Sequence, residues 1–165
     1  METNEKDTLN ILGLPVKETE VIAAELNILL SNFQVYYQNL RGIHWNIRGK
    51  RFFSLHVKFE ELYNDAQQKI DEVAERVLTL GAVPLHTFED YIENNRLTVG
   101  RNVSKDTAAV HLIMDSLSNL LKIERIILEE TAKIGDEGTN AMMSGFITEQ
   151  EKTIWMMKAW SEEEI

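Results

Sequence analysis

Apolar residues recur every three or four positions along most of this chain. Ile22, Leu26, Leu29, Phe33, Tyr36, Leu40 and Ile43 fall on one face of a helix, in a heptad-like seam suited to a bundle. Gly42 inside that seam weakens its last turn. A second stripe follows: Phe52, Leu55, Phe59, Leu62, Ala66, Ile70 (or its neighbour Lys69), Val73, Val77 and Leu80. Gly81 and Pro84 stop it. Between Thr87 and Asn94 a brief helix is expected, because Thr87 followed by Asp90 resembles a capping box with the shorter acid. Ser104 opens a third long helix carrying Ile113, Leu117, Leu120, Ile127 and Ile134, which Gly135 and Gly138 break. Thr139 is expected to cap a fourth, with Met143, Phe146, Ile147, Ile154 and Met157 facing inward. No long window alternates as a strand does. The pattern predicts an all-α fold. Four long helices form a bundle, with a short extra helix in the long connection (82–103) between helices 2 and 3.

Composition narrows the function. At 165 residues, with 44% hydrophobic and 27% charged, the chain suits one soluble domain with a substantial core. Residues 1–16 lack the apolar periodicity and are expected to form a flexible N-terminal segment. No run reaches the roughly 18 apolar residues that a membrane helix needs. The start, Met1-Glu2-Thr3-Asn4-Glu5-Lys6-Asp7, is polar and acidic, unlike a signal peptide. The absence of cysteine excludes disulfides, thiolate metal sites and cysteine nucleophiles, and fits a cytoplasmic protein. A net charge of −10 disfavours contact with phosphate backbones and favours attraction of cations.

The candidate chemistry lies in His44, His56, Asp71 and Glu75. Two imidazoles and two carboxylates suit a redox-active divalent metal such as iron. The first two helices form a hairpin around residues 47–51, and His44 and His56 are almost equally far from its middle. They should therefore sit level on neighbouring helices. Glu60 follows His56 by one turn on the same face, and Glu75 follows Asp71 likewise. If 52–80 is one helix, His56 and Asp71 are roughly 22 Å apart along its axis. The level opposite Asp71 on the first helix is occupied by Leu29 and Leu30, which offer no ligand. One ion cannot hold both halves from one chain. An antiparallel pairing of two copies, about a two-fold axis between His56 and Asp71, brings the halves together twice.

Each element has a plainer alternative. A lone helical histidine is usually solvated, and Asp71 and Glu75 could pair with Lys69 and Arg76 as ordinary surface ion pairs. Trp45 beside His44 fits interface packing as well as radical interception. His86 and His111 match no pattern. The bundle-core motif of glutamate three residues before histidine is absent, as are phosphate loops, the His-Glu-x-x-His zinc motif and nucleophile elbows.

Four blocks are recognisable: His44-Trp45-Asn46-Ile47-x-Gly49-x-x-Phe52-Phe53-x-Leu55-His56, Asp71-Glu72-Val73-Ala74-Glu75-Arg76, Gly135-Asp136-Glu137-Gly138-Thr139 and Glu151-Lys152-Thr153-Ile154-Trp155-Met156. In these the chain resembles the Dps family, the ferritin-like mini-ferritins of bacteria, over roughly 19–160. The resemblance implies a ferritin-like four-helix bundle assembled into a hollow dodecamer. It implies a ferroxidase centre with His44 and His56 from one chain and Asp71 and Glu75 from its two-fold partner. Glu60 stands at a family position that is commonly Asp and contributes to the centre. Family members oxidise Fe(II), usually preferring hydrogen peroxide to oxygen, and store the ferric mineral; zinc is a candidate competitor for the site.

Two departures bear on the details. Some family members line three-fold pores with several aspartates in the segment 132–141; here Ala132 and Ala141 leave Asp136 and Glu137 as the pore candidates. DNA-binding members usually carry basic tails, whereas this chain has Lys6 alone near its start and ends Ser161-Glu162-Glu163-Glu164-Ile165. Direct DNA binding is not expected. The competing readings are a nucleoid-compacting DNA protector, which the charge disfavours, and a structural helical oligomer without catalysis.

Overall fold

The computed structural model describes residues 8–161. It contains α1 (Val16–Asn46), α2 (Phe52–Thr79), α3 (Phe88–Glu93), α4 (Asp106–Ile134) and α5 (Glu137–Ser161), with no strand among the described residues. The α1 seam is buried from Ile22 to Ile43. On α2 the ambiguous position resolves to Lys69, which is buried while Ile70 is only half-buried. No described helix is long and apolar enough to cross a membrane.

Both ends of the bundle are pinned by polar contacts. At one end Arg51, just before α2, bonds Asp106 at the start of α4, Nε to Oδ2 at 2.9 Å. At the other, Arg76 near the end of α2 pairs with Asp136 at the start of α5, 2.6 Å apart. Helices α2 and α4 therefore start at the same end, and residues 80–105 must run back the length of the bundle. Three asparagines of α1 strap that connection in place. Asn27 takes Val83 and Leu85, Asn32 takes Asn94 and Arg96, and Asn39 takes Thr98 and Gly100. Each uses its amide as donor to one backbone carbonyl and as acceptor from one N–H. This satisfies backbone groups that a long loop would otherwise leave to water.

Several expected boundaries are corrected. α4 starts at Asp106 with Lys105 as its cap residue, not at Ser104. Gly135 does end α4, at φ 71°, the left-handed conformation that glycine adopts without strain. Thr139 does not cap α5, and Gly138 does not interrupt it, since both lie within α5. Asp136 caps instead, accepting the Thr139 N–H at 3.1 Å. Glycine at 138 leaves room for Arg76, because a Cβ there would lie 3.0 Å from its Nη2. The expected short helix is present, with Thr87 accepting the Asp90 N–H at 3.1 Å. Residues 8–15 lie within the segment that the sequence marked as flexible through residue 16. They form a tight turn in which the Asn10 side chain accepts from Leu12 and Leu14, and Leu14 packs on the core. Residues 1–7, like 162–165, lie outside the described residues.

Candidate metal centre

His44 lies in the last turn of α1 and His56 in the second turn of α2. The hairpin brings their rings face to face, with centroids 3.8 Å apart and planes at 18°. Each ring holds the other's backbone. His44 Nδ1 reaches the His56 carbonyl at 2.8 Å, and His56 Nδ1 reaches the His44 carbonyl at 2.9 Å. The helix end explains half of this clamp. A carbonyl in the last turn has no N–H four residues on to receive. The Arg48 N–H, which would have served His44, goes to Ser104 instead.

A carbonyl can only accept, so both Nδ1 atoms carry the hydrogen. That leaves both Nε2 atoms with lone pairs, the tautomer that a metal ligand requires. Phe52 stacks on His56 at 4.9 Å and Tyr63 stands edge-on to His44 at 5.3 Å, so the open nitrogens sit in an aromatic collar. Glu60 is exposed one turn beyond His56, and its carboxylate acts on the Tyr63 phenol. Burial first, then the Glu60 carboxylate, holds the Tyr63 phenol above its ordinary range.

Asp71 and Glu75 are exposed on α2, roughly 22 Å along the same helix from His56. The cations that could have neutralised them are committed elsewhere. Lys69 bonds Asp65 and Glu149, and Arg76 bonds Asp136 and Thr139. The surface ion-pair alternative for Asp71 and Glu75 is thereby removed. Among the described residues of one chain, no three His, Asp or Glu side chains converge closely enough to hold a metal ion. Among the described residues, the histidine half is preorganised, the carboxylate half has no side-chain cation partner, and the two do not meet.

Trp45 is 58% exposed. Its ring lies on the Arg41 guanidinium at 4.8 Å, and the same guanidinium covers Tyr37 at 5.2 Å. Of the two pore candidates, Glu137 is exposed at the start of α5. Asp136 is buried and already holds Arg76 and Thr139, so within the chain it is a capping residue. His86 bonds its own loop at the Pro84 carbonyl, and His111 is exposed.

Residue pattern alone missed the carbonyl clamp and Tyr63. The clamp depends on carbonyls, which carry no sequence signal, and Tyr63 reads as one more position of an amphipathic helix.

Comparison with known proteins identifies the fold and the family. A ferritin-like domain family model matches residues 23–164. The DNA protection during starvation protein of Porphyromonas gingivalis is 39% identical over 94% of this chain and 98% of its own length. The crystal structure of a Dps protein from Vibrio cholerae O1, described as a member of a broad superfamily of ferritin-like diiron-carboxylate proteins, superposes with a TM-score of 0.91. It is 46% identical, over 96% of this chain and 99% of that one. A Listeria innocua Dps structure soaked with zinc superposes with a TM-score of 0.82 at 32% identity, over 86% of this chain and 96% of that one. With its bundle, its crossover helix and its level histidine pair, the chain belongs to the Dps family of ferritin-like proteins.

Proposed function

We propose that this chain is a ferroxidase and iron-storage protein acting through a site shared by two copies. The observation that carries the reading is the His44–His56 clamp. It fixes two open Nε2 atoms at one level of a hairpin, while the matching carboxylates, Asp71 and Glu75, stand uncompensated about four turns away. Antiparallel pairing of α2 across a two-fold axis joins each histidine pair to the partner's carboxylates, giving two equivalent centres per dimer. Twelve copies closing into a hollow shell would provide the storage space.

Iron is the substrate. Neutral imidazoles and carboxylates bind Fe(II), and the carboxylate charge favours the Fe(III) product more strongly. Glu60 stands beside the histidines and extends the oxygen donor set. Two Fe(II) give one electron each to one hydrogen peroxide, with two protons consumed and two waters formed, so no hydroxyl radical escapes. Oxygen is the slower oxidant. The ferric product passes to the shell interior, and the cell is protected from peroxide and free iron together. Zinc suits the same nitrogen and oxygen donors and competes for the site. Exposed Glu137, rather than Asp136, is the acid available to an iron entry path. The net charge of −10 opposes direct DNA binding, and a gel shift at low salt without divalent metal should show no retardation. The chain acts in the cytoplasm.

The deciding experiment mixes anaerobic apoprotein with Fe(II), adds a half-equivalent of hydrogen peroxide and follows ferric absorbance against a His44→Ala/His56→Ala control. Fast oxidation confined to the wild type supports the site. Equal rates remove it.

A further inference from the structure

The His44–His56 clamp closes across the turn 47–51, so its geometry depends on how firmly that turn and the first turn of α2 are held. Helix α2 does little to hold its own start. Its cap residue, Arg51, makes no side-chain capping bond, and no acid lies in the first turn to meet the N–H groups left over there. Arginine also carries the wrong charge for the positive end of a helix. The order of this segment must come from outside the helix.

Contacts from α4 and α5 supply it. The Arg48 N–H donates to the Ser104 carbonyl at 3.0 Å. The Arg51 guanidinium reaches Asp106 Oδ2 through both Nε and Nη2, each at 2.9 Å. Asp106 is the first residue of α4, and its other oxygen accepts the Thr107 N–H at 2.8 Å. Trp160, in the last turn of α5, places its ring 4.2 Å from the Arg51 guanidinium carbon. One guanidinium thus joins the starts of α2 and α4 to the end of α5. The Arg51–Asp106 pair is partly exposed, and such a pair alone fixes side chains weakly. An indole against the guanidinium shields it from water on one side and limits the rotation of the fork.

Arg51 is followed directly by Phe52, whose ring stacks on His56 at 4.9 Å. Contact therefore runs from Trp160 through Arg51 and Phe52 to His56, and across the clamp to His44. We propose that Trp160 is a positioning residue for the histidine pair. By holding Arg51 on Asp106, it keeps the α1–α2 turn in the register that leaves both Nε2 atoms open to a divalent metal. It acts through Arg51 and not on the metal itself. A frayed first turn of α2 withdraws the His56 carbonyl from His44 Nδ1, and the His44 ring is then free to turn and to exchange tautomers. The last turn of α5, more than a hundred residues on from His44 in the sequence, in this way sets the affinity of the centre. This rests on the two-chain metal site proposed above.

The test titrates Co(II) into the full-length assembly and follows its visible absorption. Trp160→Ala should bind Co(II) about tenfold more weakly than the wild type, the loss typical when the partner that orients a ligand histidine is disturbed. Trp160→Phe keeps a ring against Arg51 and should restore the wild-type affinity. Arg51→Gln should show the same weakening, and adding Trp160→Ala to it should cost nothing more, because both act through one guanidinium. Thr87→Ala destabilises α3 instead and should bind Co(II) as the wild type does, which separates positioning from a general loss of stability. Wild-type affinity in Trp160→Ala, or in Arg51→Gln should Trp160→Ala fail to assemble, overturns the role of Trp160 and leaves the metal site standing. So does a Thr87→Ala variant weakened as much as Trp160→Ala. A wild type that takes up no Co(II), or Co(II) bound equally well by His44→Ala/His56→Ala, overturns the metal site, and the role of Trp160 with it.

Discussion

The polar interior of the bundle and the histidine–carboxylate face of α2 use the same residue types to opposite ends. Inside, the chain pairs its charged groups within itself. Lys69 is enclosed by Asp65 and Glu149, with its ammonium 5.1 Å from the Phe146 ring centre. Arg76 holds Asp136 and Thr139, and Gln150 donates to Glu124. On the outer face the chain stops halfway. Both imidazoles are oriented with their Nε2 atoms free to accept, and no salt bridge among the described residues reaches Asp71 or Glu75. Buried charges without partners are costly, so a single chain must pair them to fold. His44 is buried as well, but its ring already holds the His56 carbonyl, and the exposed Asp71 and Glu75 carry no such penalty. The difference separates groups that hold the fold from the groups to which the proposed chemistry is assigned.

One interior pair is incomplete. Glu124 Oε2 and Gln150 Oε1 are buried with no hydrogen-bond partner among the described residues. Burial, opposed in part by Gln150 and by the Lys69 and Arg125 charges, pushes the Glu124 carboxyl up to about 7. Protonation removes the buried charge and makes one orphan oxygen a donor.

The sharpest way to break the comparison is to open a closed interior pair. Arg76→Ala leaves the Asp136 carboxylate buried without its guanidinium, and should cost about 3–5 kcal/mol in chemical unfolding. A loss near zero would mean that Thr139 and the α5 N-terminus alone hold Asp136.

Glu124 gives a prediction with a definite sign. Its folded pKa is raised above the ordinary 4.5, so the stability it contributes is fully present below 4.5 and is lost as pH rises through about 7. Glu124→Gln removes that slope. Above neutral pH the variant should be the more stable by on the order of 3 kcal/mol, shrinking toward acid pH. Thermal unfolding across that window checks it, and parallel curves for the two proteins would refute it.

The outer face should behave in reverse. Asp71→Asn/Glu75→Gln should stay within about 0.5 kcal/mol of wild-type stability, yet lose about tenfold or more in peroxide-driven iron oxidation. Co-expressing that variant with His44→Ala/His56→Ala sharpens the point. Random pairing then restores one intact centre in every mixed dimer, and about a quarter of the wild-type rate should return. A mixture as dead as its parents would place all four residues in one-chain sites.

The smallest effect belongs to a contact in neither class. Thr87→Ala removes the cap of α3 and should cost about 1 kcal/mol, read from the thermal midpoint, with iron oxidation unchanged.

The sequence by itself determined the helices and the logic of the site. Period and rise are local properties, so the 3.6-residue spacing of Ile22 to Ile43 announced α1. The distance from His56 to Asp71 announced that one ion could not be held by both within one chain. The level pairing of His44 and His56 followed from a short turn alone. Only the tertiary structure decided which ring nitrogens stay open, because that depends on carbonyls brought across the hairpin. It also decided that Lys69 and Arg76 turn inward to Asp65, Glu149 and Asp136, far away in sequence, and so leave Asp71 and Glu75 uncompensated. It moved the α5 cap from Thr139 to Asp136, whose carboxylate accepts the Thr139 N–H while holding Arg76. Spacing is written along one chain, whereas the partner of a charge is chosen by packing, and packing is a property of all the helices at once.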